Sequence, residues 1–121
     1  MKLKIIDCEF SVCKVTDYSD VDMSVPFVFT GSTDEERSLV CPSSCVPANV
    51  TDRNDGWRGF RIEGVLDFSL VGILSRIASL LAENGIGLFA VSTFNTDYIF
   101  TKGCNFDKAL DVLRSAGYET A

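Results

Sequence analysis

Histidine is missing from all 121 residues of this sequence. Its absence removes imidazole acid–base chemistry, Ser-His-Asp and Cys-His nucleophilic machinery, and His-based metal sites together. Any catalysis would fall to carboxylates, lysine, tyrosine or thiols. Basic residues are also scarce, with 11 Lys and Arg against 17 Asp and Glu and a net charge of −6. Nucleic-acid binding relies on basic surfaces that release counterions from phosphates, so no nucleic-acid partner is expected. Long apolar runs are lacking too, and nothing approaches the roughly eighteen residues of a membrane span. The opening Met1-Lys2-Leu3-Lys4-Ile5-Ile6 turns polar at Asp7, before a signal-peptide core accumulates. No membrane partner is expected.

The five cysteines (Cys8, Cys13, Cys41, Cys45, Cys104) form no metal-binding pattern. The closest pair, Cys41-Pro-Ser-Ser-Cys45, has neither the two-residue redox spacing nor a second pair to complete four zinc ligands. They read as ordinary thiols. An odd count with no leader points to the reducing cytosol, so the expected location is cytoplasmic, with no metal and no cofactor.

What is present is ordinary globular material, 46% hydrophobic and 23% charged. A chain of this length buries about two-thirds of its unfolded surface, enough for one core or two very small subdomains around it.

The halves differ. Residues 1–55 carry most of the negative charge and no helical period. Leu3-Lys4-Ile5, Phe10–Val15, Phe27–Thr30 and Ser38–Cys41 read as strands, Asp17–Asp22 as a loop, Val46–Val50 as a short helical turn, and Asn54-Asp55-Gly56 as a break. In residues 56–121, Trp57–Glu63 alternates apolar and charged, as a half-buried strand does. Leu70, Ile73, Leu74, Ile77 and Leu81 form one helical stripe, with Ser69 as N-cap and Asn84-Gly85 as the stop. Gly87–Val91 and Tyr98–Thr101 are strands joined by a turn. Asn105 caps a second helix with Phe106, Ala109, Leu110 and Leu113 on one face, stopped at Gly117 before a short final strand. The order is β-α-β-β-α-(β), the split βαβ arrangement. A faint echo links Phe29–Thr33 and Leu39-Val40 to Ala90–Thr93 and Ile99-Phe100 at an offset near sixty residues.

Gly64–Leu74, Leu81–Ile86 and Val91–Ile99 resemble the ACT domain family, small regulatory folds that bind amino acids and related metabolites. Val91–Ile99 resembles in particular short bacterial tandem ACT-like proteins related to the eukaryotic cytosolic arginine sensors. The resemblance runs from Trp57 to Tyr118 and departs at Val71, where the family usually has proline, and at the curtailed last strand. It implies an α+β fold of two ferredoxin-like βαββαβ (ACT) units. The N-terminal unit, residues 1–55, would be degenerate and helix-poor, and the C-terminal one, residues 56–121, a regular ACT domain. It further implies a non-catalytic amino-acid sensor working as a homodimer. Each copy would offer its helix-start loop to the neighbour's Ser92–Asp97 edge, with output through an unidentified downstream protein.

Elementary chemistry supports such a site. A helix start offers unpaired N–H groups and partial positive charge, so Ser69-Leu70-Val71-Gly72 and the adjoining Ile73 suit a ligand carboxylate. Gly72 lets a ligand approach the backbone. Asp97 or Asp67 suits the ammonium, and the Ser92-Thr93-Phe94-Asn95-Thr96 edge offers carbonyls. Two carboxylates would also suit a cationic amino acid such as arginine. Asp67 and Ser69 equally fit helix capping, Asp97 a hairpin turn, and Phe94 a partner-facing tip. The rival readings are an ACT-fold interaction module without a ligand, and a small enzyme on the same scaffold.

Overall fold

The computed structural model describes all residues except Leu66, Phe68, Ser69 and Leu70. The chain divides into two compact units: Met1–Asp7 with Arg58–Ala121, and Cys8–Trp57. Two long strands, β1 (Lys2–Val15) and β4 (Val50–Ile62), contribute residues to both. The remaining elements are β2 (Phe29–Ser32), β3 (Arg37–Pro42), α1 (Ile73–Glu83), β5 (Phe89–Ser92), β6 (Asp97–Lys102), α2 (Gly103–Ser115) and β7 (Glu119–Thr120). No helix among the described residues is long and apolar enough to cross a membrane.

In the unit holding Arg58–Ala121, the end of β4 leads through α1, β5, β6 and α2 to β7, the expected order. The strands lie β5-β6-β4-β1, with β7 parallel to β1 at Lys2–Glu119 and Leu3–Thr120. The amide of Glu63 donates to the Lys2 carbonyl at 2.9 Å. Thus the first residues of β1 stand between β4 and the last strand, where a simple split βαβ unit has those two as neighbours. Leu3 earns that position energetically: it is fully buried in one core with Phe60, Ile62 and Ile99 of the sheet, Ile77 and Leu81 of α1, and the α2 stripe Phe106, Ala109, Leu110 and Leu113. Burying each such side chain contributes about 1.5–3 kcal/mol. The apolar periods that predict the two helices are therefore the faces they bury. Both helices close by similar hydrogen bonds: Ile86 N–H and Tyr118 N–H reach back to the Leu81 and Leu113 carbonyls.

The unit Cys8–Trp57 has strand order β2-β3-β1-β4 and, among the described residues, only a 3-10 turn at Ser43–Cys45 in place of helices. Its core gathers Cys13, Val15, Leu39 and Cys41, with Tyr18, Val28 and Val46 packed on them. The loop after β1 is held by Asp17 and Asp22, which accept the Ser19 and Ser24 amides at 2.9 and 3.0 Å. Hydrogen bonds from the Ser19 and Ser24 side chains and amides hold both carboxyls below the usual carboxylate range.

Four local expectations change. Val46–Val50 is not helical, since the turn falls at Ser43–Cys45 and β4 begins at Val50. Asn54-Asp55-Gly56 is not a break: β4 runs through it, with Gly56 at φ 85° absorbing a conformation unfavourable to any side chain. α1 begins at Ile73 instead of Leu70, and α2 begins at Gly103, two residues before the expected cap Asn105, with no side-chain cap hydrogen bond. Turn signals are local, and the strand ladders here overrode them.

The sixty-residue echo is real at the level of hairpins. β2 and β3 pair from Phe29–Val40 to Ser32–Arg37, and β5 and β6 pair from Phe89–Phe100 to Ser92–Asp97. Each tip closes alike, with Thr33 N–H donating to Glu36 O and Thr93 N–H to Thr96 O, both at 2.9 Å. The chemistry differs at the end of the tip, where Arg37 matches Asp97.

Candidate functional site

Gly72 stands at the N-cap of α1 with φ 80° and ψ −1°. It is thus outside the helix, and its left-handed backbone, disfavoured for residues with a Cβ, explains why glycine is there. Its carbonyl accepts the Arg76 N–H at 2.9 Å, the first helical bond. Among the described residues no side chain caps the turn, and no acidic residue sits in it. The first-turn N–H groups and the partial positive charge of the axis are therefore directed at whatever lies before Ile73. A Cβ built on Gly72 would meet nothing within 4 Å, so the space beside its backbone is open.

The β5–β6 hairpin supplies the other wall. Ser92 Oγ donates to Asp97 Oδ1 at 2.5 Å across the pair that starts the turn. Thr93 Oγ1 donates to the Thr96 carbonyl at 3.0 Å. Thr96 is buried, and its hydroxyl donates to the Ile62 carbonyl at 2.7 Å, fixing the tip to the end of β4. Replacing Thr96 by valine keeps the volume but leaves that carbonyl without its donor. Chemical denaturation should show a loss of about 1–3 kcal/mol, and Thr96→Ser should recover most of it.

These two walls face one cavity of about 270 Å³, lined by Asp67, Gly72, Ile73, Leu74, Ser75, Ser92, Thr93, Phe94, Asn95, Thr96 and Asp97. Asp67, Gly72, Ile73, Ser92, Thr93, Phe94, Thr96 and Asp97 are all sequence-derived candidates, and the fold brings them together from stretches about twenty residues apart. Ser69 and Leu70, the other two candidates, lie outside the described residues. Leu74, Ser75 and Asn95 also line the cavity. Ser75 was legible only once the helix start had moved to Ile73, which places Ser75 in the first turn beside Gly72. One chain supplies both the helix start and the hairpin tip, so a second copy is not needed to bring them together. The cavity's lining carries two acids, Asp67 and Asp97. Phe94 at the tip is 79% exposed, and Val65 and Val71 in the connection between β4 and α1 are 73% and 88% exposed.

The cysteines form no comparable site. None of the five is in a disulfide, and no cluster of metal-ligating side chains occurs among the described residues. Burial pushes the Cys41 thiol up to about 12 and raises Cys13 as well, which makes them poor nucleophiles at neutral pH.

Comparison with known proteins places this geometry. The crystal structure of protein Atu0741 from Agobacterium tumefaciens is 31% identical and superposes with a TM-score of 0.87, covering 99% of this chain and 91% of that one. A Vibrio cholerae protein of unknown function, VC0802, described as a possible transport protein, matches at 19% identity and TM-score 0.70, over 92% of this chain and 85% of that one. Clostridium acetobutylicum aspartate kinase, described as an allosteric enzyme, matches at 15% identity and TM-score 0.65, over 94% of this chain but 33% of its own. The last two likenesses are of fold. No curated protein sequence matches the chain. Residues 52–115, more than half the chain, match the sequence profile of the ACT domain, and they contain α1, the β5–β6 hairpin and the cavity between them. Two helices over an antiparallel sheet, carrying that sequence signature, make this chain a member of the ACT domain family, a regulatory small-molecule-binding fold.

Proposed function

We propose that this protein is a non-catalytic amino-acid sensor. The observation that carries the reading is the single cavity joining an uncapped helix start to a hairpin tip, with Asp67 and Asp97 on its wall. The α1 first turn takes the ligand carboxylate, and the two acids take its cationic end. Each charged hydrogen bond contributes about 1.5–3 kcal/mol, so a few of them reach the micromolar affinity a metabolite sensor needs. The histidine-free sequence supports a binding role over catalysis. The tandem reading, two ACT units with the Cys8–Trp57 unit degenerate, is supported by the matching hairpin tips.

Exposed Val65, Val71 and Phe94 sit on the loop and the tip that frame the cavity, apolar surface that favours cover by a second copy. We read the working form as a cytosolic homodimer whose geometry, or whose grip on a downstream protein, shifts by the ligand's difference in affinity between two states. The same exposed residues favour a second reading, an interaction module that has kept the fold and lost the ligand.

Titration calorimetry and thermal shift of the full chain against the twenty amino acids separate the two. At least one amino acid should give heat and raise the melting temperature, and Asp97→Asn should weaken it about tenfold or more. Silence from all twenty at high micromolar protein would leave the interaction module standing.

A further inference from the structure

A second cavity, of about 360 Å³, lies between the beginning of α1 and the turn that leads from α2 into β7, within the unit of Met1–Asp7 and Arg58–Ala121. Gly117 makes that turn: its φ of 99° is the left-handed backbone that glycine tolerates, and its N–H donates to the Arg114 carbonyl at 3.0 Å. Tyr118 N–H reaches back to the Leu113 carbonyl, which folds the chain over the end of α2 and sets Tyr118 on the cavity wall. Met1, Val71, Ile73 and Ala116 make the rest of that wall apolar. Met1 and Val71 are 54% and 88% exposed, apolar surface that the free chain leaves in water.

Arg76 is the charged side chain of the lining. Among the described residues its guanidinium has no ion-pair or hydrogen-bond partner, and neither has the Tyr118 hydroxyl. Met1 adds its amino group, of the same sign as Arg76. The lining shares Gly72 and Ile73 with the cavity at the hairpin tip but includes neither Asp67 nor Asp97, nor any other carboxylate. An anion here meets hydrogen-bond donors beside hydrocarbon. An ammonium group would give up its water and gain no acid in return.

We propose that this cavity is a separate binding site for an apolar monocarboxylate that carries no ammonium group, an aliphatic or aryl-substituted acid. The Arg76 guanidinium takes the carboxylate through two parallel N–H bonds, and the Tyr118 hydroxyl donates a third. Met1, Val71 and Ile73 cover the hydrocarbon and are themselves removed from water. The volume fits, since small-molecule sites hold about 300–1,000 Å³. A phosphate ester fits less well: its second negative charge would lie against apolar wall. The site uses neither acid of the hairpin cavity, so it stands or falls apart from the amino-acid reading.

Titration of the full chain, followed by amide chemical shifts, tests this with three molecules of one skeleton. They are 4-methylpentanoate, 4-methylpentan-1-ol (no carboxylate) and L-leucine (the same acid with an α-ammonium). The acid should give saturable shifts of the Ala116, Gly117 and Tyr118 amides at millimolar concentration. The alcohol and L-leucine should act at those amides at least about tenfold more weakly. Arg76→Met should weaken the acid about tenfold and leave the alcohol unchanged, and Tyr118→Phe should weaken the acid about threefold. Arg76 is exposed, so an unaltered melting temperature of the free variant shows that it folds. Asp97→Asn should leave the acid unchanged, which separates this site from the hairpin cavity.

The absence of a saturable shift up to about 20 mM acid refutes the site. So does an alcohol or L-leucine that binds there as tightly as the acid, or an Arg76→Met chain that binds the acid unchanged. Loss of acid binding in Asp97→Asn refutes it too, by placing the acid in the other cavity.

Discussion

Replacing Gly59 by alanine should destabilise the folded chain by about 3 kcal/mol and lower its melting temperature by about 10 °C. Gly59 lies on β4, and a Cβ there would come within 2.7 and 2.8 Å of two Phe100 ring carbons and 3.3 Å of the Ile99 carbonyl. The Phe100 ring has nowhere to go. It is fully buried and stacked on Phe89, with centroids 4.8 Å apart and planes 14° from parallel. A glycine-to-alanine change without a clash stabilises by about 0.4–1 kcal/mol, because alanine restricts the unfolded chain. The sign of the measured change therefore discriminates between clash and tolerance. Phe100→Leu in the Gly59→Ala background should recover part of the loss in a double-mutant cycle. A Gly59→Ala protein as stable as the wild type, by urea denaturation, would show that the ring yields.

Alkaline pH should expose the buried thiols. An unfolded cysteine titrates near 9.0, while burial in the fold pushes Cys41 up to about 12. Below pH 9 both states hold the proton and the stability is at its full value. Between those two values the unfolded chain has released a proton that the folded chain retains, so stability falls as pH rises. At 1.36 kcal/mol per pH unit the decline attributable to Cys41 reaches about 4 kcal/mol. Cys13, raised by the same burial, adds in the same direction. Tyrosine and lysine titrate in this window too, so the informative quantity is a difference. Cys41→Ala should be slightly less stable than wild type at pH 7 and decline less steeply above pH 9. Parallel curves for the two proteins would refute the assignment.

Much of the fold is legible because its signals are local. The stripe Ile73, Leu74, Ile77 and Leu81 and the stripe Phe106, Ala109, Leu110 and Leu113 each spell out a helix face, and both pack into the core they predict. The hairpin Ser92–Asp97 follows from turn chemistry between two apolar runs, and its counterpart Ser32–Arg37 follows at the same spacing. What misled was equally local. Asn54-Asp55-Gly56 carries turn residues yet continues a strand, because β4 is long enough for its ladder hydrogen bonds to outweigh three poor strand formers. The stripe beginning at Leu70 invited a helix start there, but the left-handed backbone at Gly72 stops helical geometry from extending back through it.

The candidate site divides in the same way. Asp67, Gly72 and Asp97 stand out by residue type, but their meeting around one cavity depends on how far the hairpin tip reaches toward the helix start, which Thr96 fixes through the Ile62 carbonyl.

Sequence alone settled the order of strands and helices, the faces those helices bury and the two hairpin tips, since periodicity and turn preference act over a few neighbouring residues. The tertiary structure decided that Met1–Asp7 joins the unit of Arg58–Ala121 and that β1 separates β4 from β7. Those outcomes turn on pairings across sixty residues or more. There the apolar area buried by residues such as Leu3 against Phe60 and Ile62 chooses the partner, and no local preference specifies it.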